Sequence, residues 1–295
     1  MFKEILKNVQ EKTPLVHCIT NYVTVNDVAN VLLACGGSPI MADDINDAED
    51  ITSICNALVI NIGTLNERTI ATMLNTGKKA NALSHPAVLD PVGAGASALR
   101  TSAAFKLLET VNFSVIRGNI SEIKTISHGS GTTKGVDADV SDAITEKNLD
   151  EAISFAKKLS ARTDSIIVIT GAIDIVADAQ KAYIVRNGHP LMSKVSGTGC
   201  MLTAIIAAYC AANSDNMLEA AAAAVCVMGL SGEMAYDRLI RTDGGTSSYR
   251  IYIIDAVGKM NGEVLEGARC VWKGCAQWCP ALTATLSAFS MVAMS

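Results

Sequence analysis

Short β-branched runs recur at residues 38–41, 57–62, 87–92, 113–117 and 166–170, separated by stretches in which apolar residues return at helical spacing. Alternation of this kind predicts a mostly parallel sheet covered by helices. Runs such as Leu58-Val59-Ile60 and Ile166-Ile167-Val168-Ile169 carry no polar side, so their strands are expected to be buried on both faces. Residues 174–177 and 182–185 flank a short polar stretch and are expected to add a hairpin to the sheet. Beyond it the chain turns helical, with alanine-rich helices beginning near Cys200 and Asn216. The most apolar runs, 201–212 and 220–230, fall short of the roughly 18 to 20 residues that span a bilayer and are read as buried helices. Residues 1–10 mix lysine, glutamate and apolar residues at helical spacing, without the apolar core of a signal peptide.

Composition narrows the class. Of 295 residues, 49% are hydrophobic and 18% charged, which favours a large packed core over disorder. With no internal repeat or linker, a single domain is expected over residues 1–268, followed by a divergent tail over 269–295. The net charge of -5 leaves no basic footprint, so neither nucleic acid nor membrane is expected as a partner. Nine cysteines scattered through apolar segments read as reduced thiols in a cytoplasmic protein. The tail carries Cys270, Cys275 and Cys279, but no histidine or fourth cysteine lies close enough to complete a tetrahedral zinc site. Incidental thiols are the expectation there, and the tail is expected to be dispensable for chemistry.

Two stretches carry the chemistry. Val195-Ser196-Gly197-Thr198-Gly199-Cys200 runs straight into the apolar helix that begins at Met201. Two glycines at a helix start allow several backbone N–H groups to converge on one point, where the helix dipole adds positive potential. Such an anion hole suits phosphoryl transfer, in which negative charge spreads over equatorial oxygens. A glycine turn that merely begins a helix remains the plain alternative. Asp90-Pro91-Val92-Gly93-Ala94-Gly95 follows a buried run, placing a carboxylate at a strand's carboxyl end, where ligands gather in open α/β sheets. Arg117-Gly118-Asn119-Ile120-Ser121-Glu122 ends another strand. Asp90 and Glu122 together suit magnesium, held directly or through water, although either alone could be a solvated loop carboxylate. Gly93-Ala94-Gly95 lacks the third glycine of a dinucleotide site, and no P-loop sequence occurs. The four histidines, His17, His85, His128 and His189, show no metal-ligand spacing. The polar loop 128–135, with Lys134, could close over phosphates or be a solvated surface.

The Asn119-x-x-Glu122 element paired with the Gly197-Thr198-Gly199 anion hole resembles the ribokinase-like superfamily. His17-Cys18-Ile19-Thr20-Asn21-Tyr22-Val23, Gly36-Gly37-Ser38-Pro39-Ile40-Met41-Ala42, Asp90-Pro91-Val92-Gly93-Ala94 and Gly197-Thr198-Gly199-Cys200 narrow the match, resembling the hydroxyethylthiazole kinases over residues 14–255. The resemblance implies a ribokinase-like layered α/β fold with a mostly parallel central sheet. It implies ATP-dependent phosphorylation of the hydroxyl of 5-(2-hydroxyethyl)-4-methylthiazole, a salvage step towards thiamine, and a homotrimer with sites between subunits. Met41 and Gly197 are then expected to contact the thiazole, and Arg117 and Thr170 the ATP. Asn21 either binds ligand or satisfies a local turn.

Cys200 stands where most ribokinase-like enzymes place an aspartate base. A free thiol titrates near 8.5 and a helix amino terminus lowers it, so some thiolate is expected at neutral pH. A loose transition state needs little prior deprotonation of the alcohol, which makes a weak base tolerable. A buried cysteine with no chemical role is the competing reading. Other ribokinase-like activities, hydroxymethylpyrimidine kinase or nucleotide-hydrate dehydratase, share the fold, and a non-catalytic nucleotide-binding regulator is the remaining alternative.

Overall fold

The computed structural model describes residues 1–127 and 143–273. The loop that contains Lys134 and the last two cysteines of the tail lie outside the described residues. Among the described residues nine strands form one sheet in the order β2-β1-β3-β4-β5-β6-β7-β8-β9. The strands β1 (Leu15–Ile19), β2 (Ser38–Ile40), β3 (Ala57–Asn61), β4 (Ala87–Asp90), β5 (Val115–Asn119) and β6 (Ile166–Thr170) run parallel. The hairpin β7 (Asp174–Ala177) and β8 (Ala182–Val185) then adds antiparallel strands, followed by β9 (Cys270–Lys273).

Period-two alternation divides the sheet's side chains between two apolar layers. Ala57, Val59, Ile166 and Val168 face one cluster, while Leu58, Ile60, Ile167 and Ile169 face the other. Over the first face lie α1 (Phe2–Lys12), α2 (Val25–Cys35), α8 (Thr198–Ala212) and α9 (Met217–Thr242), with α10 (Thr246–Gly258) and α11 (Gly262–Glu266) packed around them. Over the second lie α3 (Ala48–Ile54), α4 (Glu67–Ala82), α5 (Ala98–Thr110), α6 (Ile120–Ser127) and α7 (Leu149–Thr163). Helix starts are set locally. Asn66 and Thr69 form a capping box at α4, and Ser97 caps α5. The central strands are buried on both faces, as their unbroken apolar runs predict, so Ile167→Ala would cost about 2–5 kcal/mol.

Four local expectations shift. Residues 15–19 form a central strand that the sequence pattern conceals, because the polar His17 interrupts its apolar run. His17 is fully buried, and its ring nitrogens meet Thr52 Oγ1 at 2.9 Å and the Ala42 carbonyl at 2.8 Å. The strand expected over 113–117 instead spans Val115–Asn119, carried on by pairing of Asn119 with Thr170. The helical stretch Ser214–Thr242 is longer than its apolar run suggests, enough by length and composition to cross a membrane, but 78% of its apolar window is buried in this fold. Within the segment set apart as a tail, Cys270–Lys273 pair with β8 at the edge of the sheet.

Candidate active site

In a parallel sheet all strands end on one edge, and that edge collects the polar residues. Register aligns Asn61 with Asp90 and Asn119 with Thr170, so β3 to β6 deliver four polar ends side by side. Asn21 follows β1, and the amino terminus of α8 comes up to the same edge. The result is one hydrogen-bonded cluster. Asp90 Oδ2 accepts from Thr203 Oγ1 at 2.8 Å and Asn61 Nδ2 at 3.1 Å, and Arg117 Nη1 lies 3.5 Å away. Arg117 Nη2 donates to Thr170 Oγ1 at 2.7 Å. Asp90, Arg117 and Thr170 are thereby brought together, and Cys200 joins them through Asn61.

Glu122 is tied into the same region by backbone. Its two carboxylate oxygens accept from Gly93 N at 2.8 Å and Asn119 N at 2.9 Å, while Asn119 Oδ1 accepts from Glu122 N at 2.8 Å. This reciprocal pair starts α6 and fixes the Asn-x-x-Glu spacing. Burial pushes the Asp90 carboxyl up, with Arg117 and the hydrogen bonds pulling it back. Burial, then the neighbouring Asp90 charge, pushes Glu122 up as well. Asp90 Oδ1 is buried with no hydrogen-bond partner among the described residues, a free ligand position for a hard cation. The residues therefore fit magnesium, with Asp90 able to bind directly and Glu122 through water.

Cys200 sits in the first turn of α8. Its sulfur accepts from Asn21 Nδ2 at 3.2 Å and from Asn61 Nδ2 at 3.3 Å. Each amide spends its other proton within the cluster, Asn21 on Asn61 Oδ1 and Asn61 on Asp90. The expectation of a lowered thiol pKa is overturned. Burial first, and the Asp90 charge second, push Cys200 above the ordinary thiol value, outweighing the donors around it. Cys200 is accordingly a thiol at neutral pH.

Gly197 precedes α8 with φ +89, a left-handed conformation that favours glycine, and a side chain there would come within 2.5 Å of Thr24 Cγ2. Thr24 in turn donates through N and Oγ1 to Asn21 Oδ1, each at 3.1 Å. Among the described residues no side chain caps the first turn of α8, leaving its N–H groups to a ligand. At Gly199 a Cβ would fall 2.7 Å from Arg117 Nη2 and closer still to Nη1. Beside this turn opens a cavity of about 550 Å³, bounded by Arg117, Thr170 and Gly199 and walled by Leu202, Val225 and Met228. Met41 is at the same sheet edge, at the carboxyl end of β2, half-buried against the apolar cluster that contains α2 and α8.

Asn61 and Thr203 are the participants that sequence reasoning misses. Asn61 is signalled only by a polar residue closing the apolar run of β3. Thr203 lies three residues after Cys200, on the helix face that turns towards Asp90. Asn21, left between ligand and turn, holds the thiol and the turn at once.

Comparison with known proteins agrees with this arrangement. Residues 6–263 match the hydroxyethylthiazole kinase family. A hydroxyethylthiazole kinase from Clostridium acetobutylicum is 62% identical over 268 residues, covering 91% of this chain and 98% of the relative. The solved structure of a hydroxyethylthiazole kinase protein from Pyrococcus horikoshii superposes with a TM-score of 0.81 at 32% identity, covering 92% of this chain and 98% of that one. A ribokinase-like superfamily protein from Enterococcus faecalis shares the fold at a TM-score of 0.59 and 14% identity, covering 87% of this chain and 94% of that one. With the family matched over nearly the whole chain, and the Asp90, Asn119–Glu122 and Gly197–Cys200 elements gathered at one sheet edge, the chain belongs to the hydroxyethylthiazole kinase family.

Proposed function

We propose that the chain transfers the γ-phosphoryl group of ATP to the hydroxyl of 5-(2-hydroxyethyl)-4-methylthiazole, serving thiamine synthesis by salvage. The observation that carries this reading is the convergence of Arg117 and the uncapped turn that opens α8 on one cavity, with Asp90, one oxygen of which is orphaned, 3.5 Å from the Arg117 guanidinium. The nucleotide occupies that cavity. Arg117 and Thr170 approach its phosphates, the guanidinium offering paired donors. The N–H groups that open α8 face the transferring phosphoryl, where charge accumulates in the transition state. Asp90, with Glu122 through water, would hold magnesium, which would neutralise phosphate charge when bound.

The thiazole lies towards Gly197 and Met41, whose thioether suits a sulfur-containing ring. Cys200 Sγ then stands next to the attacking alcohol. Being protonated, it cannot take a full proton before attack. It holds the hydroxyl in line, and the alcohol proton passes to an oxygen of the transferring phosphoryl group as the new O–P bond forms and the bond to ADP breaks, as a loose transition state permits. Tyr22 and Val23, directly after Asn21, are 78% and 62% exposed. Apolar residues so placed beside a site support a homotrimer with sites completed between subunits. The seven described cysteines are all free, in keeping with a cytoplasmic protein.

The test is ATP turnover with a panel of alcohols: the thiazole, hydroxymethylpyrimidine and pyridoxal. The thiazole should be preferred. Turnover confined to another alcohol would reassign the substrate, and nucleotide binding without turnover would favour a regulator.

A further inference from the structure

One wall of the cavity is the loop 187–193, and it is held from behind by a single stripe of α9. At Gly229 a Cβ would fall 2.7 Å from the Asn187 carbonyl oxygen, and at Gly232 it would fall 3.0 Å from Met192 Cγ, so both positions admit the loop only because they lack side chains. Glu233 Oε1 accepts from Gly188 N at 2.9 Å. The Tyr236 ring stacks on His189 with centroids 3.6 Å apart. Positions 229, 232, 233 and 236 recur at three and four residues and therefore share one helix face.

The fastening is completed from outside the 6–263 match. Arg269 Nη2 donates to Glu233 Oε1, the same oxygen that receives the Gly188 N–H. The backbone N–H of Arg269 donates to Asn187 Oδ1 at 2.7 Å, and its carbonyl accepts from Arg186 N at 3.0 Å. Asn187 is buried, with its amide oxygen taken by Arg269 and its Nδ2 turned to Glu233 at 3.4 Å. Gly188 has φ +132, a conformation that these anchors hold in place.

We propose that Arg269, acting through Glu233, is a positioning residue for the phosphoryl donor. It holds the 187–193 wall at the distance the nucleotide requires. The proposal rests on the reading that this cavity takes ATP. It also narrows the expectation that everything from residue 269 onward is dispensable, since the segment enters the site through its first residue.

The pair is partly exposed, so the effect is modest. The experiment compares wild type, Arg269→Ala, Arg269→Lys and Glu233→Gln in the full-length chain. It measures KM for ATP, KM for the thiazole alcohol, kcat, the Kd of a non-hydrolysable ATP analogue and Tm. Arg269→Ala should raise KM for ATP and the analogue Kd about three- to tenfold, with the thiazole KM and kcat at saturating ATP within about twofold. Arg269→Lys, which keeps a charge for Glu233, should recover most of the loss. Glu233→Gln keeps an oxygen for Gly188 N–H but loses the ionic pair, and should move KM for ATP in the same direction; it decides the matter if Arg269→Ala does not fold. Unchanged ATP constants in a folded variant would overturn the proposal. So would parallel rises for both substrates with a lowered Tm, the mark of a general structural role. Failure of the wild-type chain to bind the analogue would instead overturn the donor-site reading and this proposal with it.

Discussion

Gly199→Ala perturbs the proposed site at one point. Gly199 lies inside α8 and is not among the residues with positive φ, so alanine fits its backbone and gains about 0.8–1.0 kcal/mol of helix propensity. The added Cβ nevertheless falls 2.7 Å from Arg117 Nη2 and closer to Nη1, so the guanidinium must move. Movement sacrifices the 2.7 Å bond to Thr170, worth about 1 kcal/mol net, and draws the cation away from buried Asp90. A buried carboxylate stripped of its partner costs about 3–5 kcal/mol at most. Asn61 and Thr203 still donate to Asp90, so the lower part of that range applies, and the helix gain offsets some of it. The net prediction is a fall of about 1–3 kcal/mol in stability, which a domain of this size survives. Catalysis should suffer more. A phosphate-facing donor displaced from its preorganised place costs about 10²- to 10³-fold in kcat, or about 2.7–4 kcal/mol. Initial rates over an ATP matrix at saturating magnesium, on protein shown to be folded by circular dichroism, measure the effect. Arg117→Ala should show a similar loss, and the double variant should lose little more, because both changes remove one group. Wild-type kinetics in folded Gly199→Ala would refute the reasoning, since no phosphate-facing guanidinium could then lie against Gly199. Gly199→Val should be worse still, its branched side chain reaching further into the turn.

Asp90→Asn should lower turnover by about 10- to 100-fold and weaken magnesium dependence, as read from magnesium titrations of initial rate; an unaltered titration curve would remove Asp90 as a ligand. Cys200→Ala should retain measurable turnover, with a loss no greater than about 10²-fold because the buried thiol is protonated, and Cys200→Asp should keep substantial activity; loss of all thiazole phosphate formation in folded Cys200→Ala would make the thiol essential. Burial holds His17 below its ordinary value of 6.5, so the unfolded chain takes up its proton first as pH falls. That contribution to stability is complete above pH 6.5 and is lost as pH falls from there through the lower folded value, so Tm should drop between pH 7.5 and 5.5 and drop less in His17→Gln. A chain ending after Gly267 lacks β9 and Arg269 and should show a raised KM for ATP, whereas one ending after Lys273 should match the full-length chain.

The sequence by itself determined the elements whose signal is local. Unbroken apolar runs marked β3 and β6 as doubly buried, because such strands need no polar side. The glycines at 197 and 199 marked the start of α8, because a tight turn with open N–H groups leaves few other residue choices. Asp90, Arg117 and Glu122 could be named because each lies at or just beyond the carboxyl end of an apolar run. Tertiary structure alone decided what no single segment carries. His17 hides β1 because its two partners, Thr52 and Ala42, are remote in sequence and cancel the polarity that local pattern reads as a break. Asn61 and Thr203 acquire roles only when parallel register sets Asn61 beside Asp90 and α8 packs across the sheet. The Cys200 pKa reverses direction for the same reason. Its place at a helix amino terminus is local and favours the thiolate, whereas burial and the Asp90 charge come from packing, and at this depth desolvation is the larger effect. Arg269 was placed in a tail by composition and belongs to the site's wall by hydrogen bonds to residues 36 and 82 positions away, a separation that only the closed fold can bridge.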